Sequence, residues 1–224
     1  MLKGRSILAA LLLMTSLSSA HGQKYSMEPI NAPPEADAVS EELRKKFATE
    51  GIRIKRGTRR TVCEIWFCNE WSVDAEFKPT NERLYPFSPG QLIGLLHFTR
   101  RGSDFRDQTV KRGWYTLRFA LQPVDGNHEG TSPTRDFLVM VGAENDAPDR
   151  EWDLMDLMTT SAQAAGSTHP AMMCLQRSTE DSATTIRHEE SNDWWILHVV
   201  GNGTDTDRTE SVPVDLIVAG HATE

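Results

Sequence analysis

Hydrophobic and polar residues alternate along much of the chain, which is the pattern of β-strands that bury one face. The clearest case is 113–122, where Tyr115, Leu117, Phe119 and Leu121 share one face. Turn residues at the ends of such runs predict at least two hairpins. The predicted strands are 52–55, 61–68, 91–98, 113–122, 136–141, 171–175, 184–189, 194–200 and 212–219.

Two segments repeat their apolar residues at helical spacing instead. Ser40 can cap a short helix that carries Leu43 and Phe47 on one face. A longer helix is predicted over 151–165, with Gly166 to close it. Because strands and helices do not alternate, the pattern favours a mainly β fold. We expect an antiparallel β-sandwich, Ig-like or jelly-roll-like, with one or two short helices, and a barrel is the alternative.

The first two dozen residues have the three parts of a signal peptide. Lys3 and Arg5 precede an apolar run over 7–14, which is too short to cross a bilayer. Small residues then allow a cut after Ala20 or before Gln23. The sequence therefore predicts export to the periplasm or the medium, and an uncleaved anchor is the alternative.

Three parts of the chain follow from these patterns: a signal peptide over 1–22, a polar leader with a short helix over 23–50, and a single β-rich domain over 51–224. No later apolar run approaches the ~20 residues of a membrane span, so no integral membrane segment is expected after cleavage. The 224 residues include 24 Lys and Arg against 32 Asp and Glu, a net charge of −8. This charge disfavours nucleic acid or an anionic lipid surface as a partner, and a protein or a glycan partner is possible.

Three cysteines, Cys63, Cys68 and Cys174, permit one disulfide in an oxidising compartment. A regular strand over 61–68 places Cys63 and Cys68 on opposite faces, so a bridge from either to Cys174 is geometrically freer. Three buried, unbridged thiols are the other interpretation.

Candidate chemistry concentrates in Asp125, His128, Asp136 and His169. The first two lie in a Gly-rich loop after the clearest strand, and Asp136 opens the next strand. Imidazole and carboxylate groups are ligands for zinc or copper, and the same groups can do acid–base work. The alternative is ordinary turn chemistry with solvated side chains.

The run Arg-Gly-Trp-Tyr-Thr-Leu-Arg at 112–118 is similar to the Gly-x-Tyr-x-Leu strand of many exported β-sandwich modules. Together with Asp-Gly-Asn-His at 125–128, Thr-His-Pro-Ala at 168–171 and Gly-His-Ala at 220–222, it resembles a group of exported bacterial proteins of unknown function. The resemblance implies a sandwich fold and an exported location, and it implies no activity.

Familiar catalytic signatures are missing from the sequence, among them the Gly-x-Ser-x-Gly elbow, the Walker loop and His-Glu-x-x-His. We therefore predict a non-catalytic binding or envelope-associated module. The alternative is a metal-binding protein or metal-dependent enzyme that uses His128 and His169. Two minor hypotheses are a glycan platform from one ring of Trp194-Trp195 and a calcium loop over 203–210, against a solvated hairpin turn.

Overall fold

The computed structural model describes residues 24–222 apart from 36, 38, 125–133, 179–182 and 207. The predicted signal peptide lies outside the described residues. The strands are β1 Tyr25–Ile30, β2 Gly51–Arg56, β3 Arg60–Phe67, β4 Trp71–Ser72, β5 Leu92–Phe98, β6 Gly102–Ser103, β7 Thr109–Val110, β8 Gly113–Leu121, β9 Asp136–Gly142, β10 Met172–Gln176, β11 Thr185–Glu189, β12 Trp194–Asp205 and β13 Arg208–Ala219. The helices are α1 Glu41–Arg44 and α2 Leu154–Ala165, with a 3-10 turn at Ala143–Asn145.

Ten strands form one curled antiparallel sheet in the order β1-β2-β3-β5-β8-β9-β10-β13-β12-β11, with β4 added in parallel to β12. The prediction of a mainly β chain with two helices is confirmed. The sheet is a half-barrel rather than clearly a sandwich of two facing sheets. Alternation identifies which face of a strand is buried, but it does not identify the strand's partners, so a curled sheet and two facing sheets share the same pattern.

The main hydrophobic core lies inside the curl. Ile65 of β3, Leu96 of β5 and Tyr115 of β8 follow one another in register across the sheet. Leu117 and Leu138 continue this apolar surface, and none of the five is more than 7% exposed. The half-barrel is therefore filled by its own side chains along most of its length.

Parts of the outer face are also covered. Helix α2 packs on β8 and β9, where Leu157 meets Val139 and Val141. Farther round the sheet, Phe105 covers Trp194. These two layers explain why β9 is apolar on both faces, a pattern typical of a strand buried on both sides.

The two edges of the sheet come close to each other but are not paired. Strands β1 and β11 are the terminal strands, and they are not paired with each other. Beside them, the ring of Tyr25 lies 5.2 Å from that of Trp195, and Lys24 Nζ lies 3.1 Å from Asp193 Oδ2. We call the line along which β1 faces β11 the seam.

Several predicted elements begin or end elsewhere in the structure. The polar leader contains strand β1, which pairs with β2 from Tyr25 to Ile30. Ser40 caps α1 as predicted, with its Oγ 3.2 Å from Leu43 N, but the helix ends at Arg44. Phe47 instead forms a β-bridge with Cys68 and packs in the core.

The later elements are closer to their predicted bounds. Asp153 caps α2, and Gly166 ends it with φ of 60°. Strands β12 and β13 are both longer than predicted, and their pairing runs out to Asp205 and Arg208. The pairs from Gly203 with Glu210 to Asp205 with Arg208 therefore form the end of a hairpin. A hairpin turn is the interpretation that the sequence offers as the alternative to a calcium loop.

All three cysteines, Cys63, Cys68 and Cys174, are buried, and no disulfide joins any two of them. In the part of the chain that the structure describes, no helix is long and apolar enough to cross a membrane.

Candidate functional site: an arginine-lined mouth

The predicted metal constellation is only partly described. Asp125 and His128 lie outside the described residues. Asp136 is fully buried at the start of β9, where its carboxylate accepts hydrogen bonds from Leu84 N at 3.0 Å and Tyr85 N at 3.2 Å. Burial raises the pKa of Asp136, and these backbone donors oppose that rise. In the structure this carboxylate holds the segment at 84–85 against the sheet.

His169 lies on an exposed bend after α2, with Nδ1 3.3 Å from Thr168 Oγ1. Strand β10 runs antiparallel to β9, with Met172 opposite Val139. His169 therefore lies toward the Gly142 end of β9, whereas Asp136 is at the other end. Within the described ranges, no group of three or more His, Cys, Asp or Glu side chains is arranged to hold a metal ion.

A buried polar cluster on the outer face contains serine, histidine and aspartate. His198 Nδ1 lies 2.5 Å from Asp215 Oδ1, and Arg187 Nη2 lies 2.5 Å from Asp215 Oδ2. Ser178 Oγ donates to the same carboxylate at 3.0 Å. Among the described residues, the Ser178 hydroxyl donates to Asp215 and not to His198, so these three side chains do not have the nucleophile–base contact of a hydrolase triad.

Both rings of Trp194-Trp195 are buried, at 5% and 4% exposure. Trp194 packs on Phe105, and its Nε1 donates to His221 O at 2.9 Å. Trp195 lies between Tyr25 and His188. The hypothesis of an exposed glycan platform at this pair is therefore wrong.

A cavity with a volume of about 450 Å³ lies at one end of the half-barrel, beside the seam. Several strands end around it: Tyr25 opens β1, Arg56 closes β2, Arg60 opens β3 and Phe98 closes β5. We call this cavity and its rim the mouth. Its volume is within the range of small-molecule sites in proteins.

The floor of the mouth is apolar and rich in rings and sulfur. Phe98, Met173 and Cys63 are buried there, and Tyr25 and Val218 complete the floor. Burial raises the pKa of the Cys63 thiol to about 12, so the group is a packing element and not a nucleophile at neutral pH. The floor can therefore accommodate an apolar or aromatic body but offers little covalent chemistry.

Arginines form the rim. Arg56 and Arg60 are register partners at the β2–β3 turn, and Arg100 and Arg101 follow β5. All four are exposed, and the guanidinium carbon of Arg56 lies 5.8 Å from the ring centre of Tyr25. Among the residues that the structure describes, none of these four guanidinium groups forms an ion pair.

Asp104 also lines the mouth, but its carboxylate already has partners. Gln108 N donates to Oδ1 at 2.8 Å, Arg106 N donates to Oδ1 at 3.0 Å, and Met172 N donates to Oδ2 at 3.1 Å. Burial raises the pKa of Asp104, and these donors oppose that rise because they stabilise the ionised carboxylate. The mouth therefore carries an excess of positive charge.

The sequence analysis did not identify this site. Arg56 and Arg60 flank a Gly-Thr-Arg turn, where solvated arginines are ordinary, and Arg100 and Arg101 are more than thirty residues away. Only the pairing of β3 with β5 brings the two groups to one end of the sheet. A signal was nevertheless present: two runs of basic residues, each at the end of a predicted strand, in a chain of net charge −8.

Comparison with protein-family models, with curated proteins and with solved structures finds no match to this chain. The function must therefore be argued from the geometry of the mouth.

Proposed function

We propose that this protein is an exported, non-catalytic binding module that takes a small anionic ligand into the mouth of the half-barrel. The observation that carries the proposal is the combination, in one cavity, of an apolar floor and four arginines that form no ion pair with any described residue. An anion with an organic body satisfies both parts. Export rests on the signal-peptide pattern at 1–22 and on the resemblance to exported β-sandwich modules, which supports the same compartment.

Arginine suits this task better than any other residue type. Its planar guanidinium donates two parallel hydrogen bonds to a carboxylate or to a phosphoryl or sulfonyl group. A cavity wall also reduces the screening of these charges by water, so the attraction is stronger than on an open surface. The chain as a whole has a net charge of −8, so the four arginines of the mouth are a local concentration of positive charge that attracts an anion.

The test is a fluorescence titration with 8-anilinonaphthalene-1-sulfonate, a probe that has both an anionic group and an aromatic body. We expect Arg60→Ala to weaken binding about tenfold, because one charged hydrogen-bond partner is lost. Raising the ionic strength should weaken binding to the unaltered protein as well.

Arg59→Ala is the matched control, because Arg59 is the exposed neighbour of Arg60 in the same turn and does not line the cavity. It should bind the probe as the unaltered protein does. Equal losses in Arg59→Ala and Arg60→Ala, or no loss in either, would show that the mouth is not the binding site.

A further inference from the structure

The mouth contains more positive charge than one singly charged ligand can neutralise. Arg56 and Arg60 come from one turn, and Arg100 and Arg101 from another. Asp104, the acidic residue among the described lining residues, is engaged by backbone amides. A monoanion would neutralise one guanidinium charge and leave the other three positive charges of the rim unbalanced.

A ligand group with two negative charges and several acceptor oxygens fits this surplus better. A phosphoryl monoester carries a charge of about −1.5 to −2 at pH 7 and presents three strong acceptor oxygens. Two guanidinium forks, one from each turn, can each pair with two oxygens of such a group. A carboxylate has two oxygens and one charge, and it can pair fully with only one fork.

The floor restricts what the anion is attached to. Phe98, Met173 and Val218 are buried, line the same cavity as the arginines and carry no charge. An apolar or aromatic body fits there, because rings pack well on thioether and aromatic side chains. Inorganic phosphate would leave this apolar surface in contact with water.

We infer that the mouth recognises a phosphomonoester joined to an apolar body. This inference rests on the proposed function, since it names the ligand class of that same site. Two sources share this chemistry: a small soluble phosphomonoester, and the headgroup of a lipid that ends in a phosphomonoester.

The test compares phenyl phosphate with benzenesulfonate by isothermal titration calorimetry. The two ligands share the ring and the tetrahedral anion but differ in charge. At pH 7.5 we expect phenyl phosphate to bind about tenfold more tightly. At pH 5 the phosphoryl group is largely a monoanion, since its second pKa is about 6, so the ratio of the two affinities should fall toward one. The ratio cancels any effect of pH on the protein itself.

The outcomes separate the inference from the proposed function. If both ligands bind with equal affinity at pH 7.5 and both lose affinity in Arg60→Ala, the mouth is an anion site and the phosphomonoester inference is wrong. If neither ligand depends on Arg60, the proposed function fails as well.

The source of the phosphomonoester is decided by a vesicle experiment. Vesicles that contain phosphatidic acid expose a phosphomonoester, and vesicles that contain phosphatidylglycerol expose a phosphodiester. Co-sedimentation with the first kind only, lost in Arg60→Ala and kept in Arg59→Ala, would assign the headgroup as ligand. Binding of phenyl phosphate without binding to either vesicle would assign a soluble phosphomonoester, and equal binding to both vesicles would contradict the inference.

Discussion

Arg118 is the most buried arginine or lysine that the structure describes, at 2% exposure. Its Nε donates to Asp146 Oδ2 and its Nη2 to Asp146 Oδ1, both at 2.9 Å, and its Nη1 donates to Gly90 O at 2.9 Å. Thr116 Oγ1 also donates to Asp146. The pair ties strand β8 to the segments on either side of it.

Replacing Arg118 with Met should destabilise the fold by about 3–5 kcal/mol, because the carboxylate of Asp146 would remain buried without its counter-charge. Urea unfolding measures the effect. The double variant Arg118→Met/Asp146→Asn should recover part of this loss, since the second change removes the buried charge. A double variant no more stable than Arg118→Met would show that the loss comes from packing and not from the unpaired charge.

Residues of this kind limit what the sequence can predict. The alternation along β8 correctly places Leu117 and Phe119 on the core face. It also places Arg118 on the opposite face, where an arginine is normally solvated. Only the tertiary structure shows that the segment around Asp146 covers this position. The same limit applies to Asp136, whose partners Leu84 and Tyr85 are about fifty residues away.

Strand β1 is one of the two terminal strands of the sheet. It pairs with β2 on one side only, and its other side faces the seam. Lys24 Nζ reaches Asp193 Oδ2 across the seam, and His188 Nε2 lies 2.8 Å from Asp193 Oδ1. The negative charge of Asp193 is favoured by both partners, which lower the pKa of its carboxyl. Side-chain contacts therefore hold the two terminal strands near each other at the seam, whereas backbone hydrogen bonds join neighbouring strands elsewhere in the sheet.

Lys24→Ala should loosen β1 without unfolding the protein. The ion pair is exposed, so the free energy of unfolding should change by less than about 1 kcal/mol. Hydrogen exchange of the β1 amides should become on the order of twofold to fivefold faster, because the lost ion pair stabilises this one terminal strand against local opening.

Lys46→Ala is the matched control for this change. It removes an ion pair of similar exposure and length, Lys46 with Asp149 at 3.2 Å, that does not join the ends of the sheet. It should leave exchange in β1 unchanged. Equal acceleration in both variants would show that the seam contact has no special role.

At the scale of elements the sequence is informative where local signals are strong. The cap at Ser40, the glycine at Gly166 and both hairpins lie where they are predicted. Strand β1 was not predicted, although Tyr25 and Met27 alternate with Ser26 and Glu28, because Pro29 lies within it and proline argues against a strand. The short strands β4, β6 and β7 consist of two residues each and leave no periodic pattern to detect.

At the scale of the whole molecule, export remains a prediction that its own experiment can check. The full chain would be produced in a Gram-negative bacterium, and the intact mass of the protein in the periplasmic fraction measured. We expect a mature protein that begins at His21 or Gln23. Leu12→Arg should keep the uncut protein inside the cell, because it interrupts the apolar run. Protein of full mass in the inner-membrane fraction would support an uncleaved anchor instead.

The mainly β character of the molecule follows from the period-two pattern, whereas its curl does not. The curl depends on pairings between distant parts of the chain, such as β10 with β13. The mouth exists only because the curled sheet brings its lining residues together. The sequence identifies its arginines as charged turn residues, but it does not predict that they line one cavity.

The seam also brings the two ends of the described chain together. Lys24 pairs with Asp193, and Gly220 lies against the backbone of the same residue, where a side chain at position 220 would come within 3.2 Å of Asp193 O. The path of the chain is therefore nearly a closed loop. A circular permutant that joined these ends by a short linker, and opened the exposed turn at Thr206 instead, would retain every strand pairing described above except the last few pairs of β12 with β13.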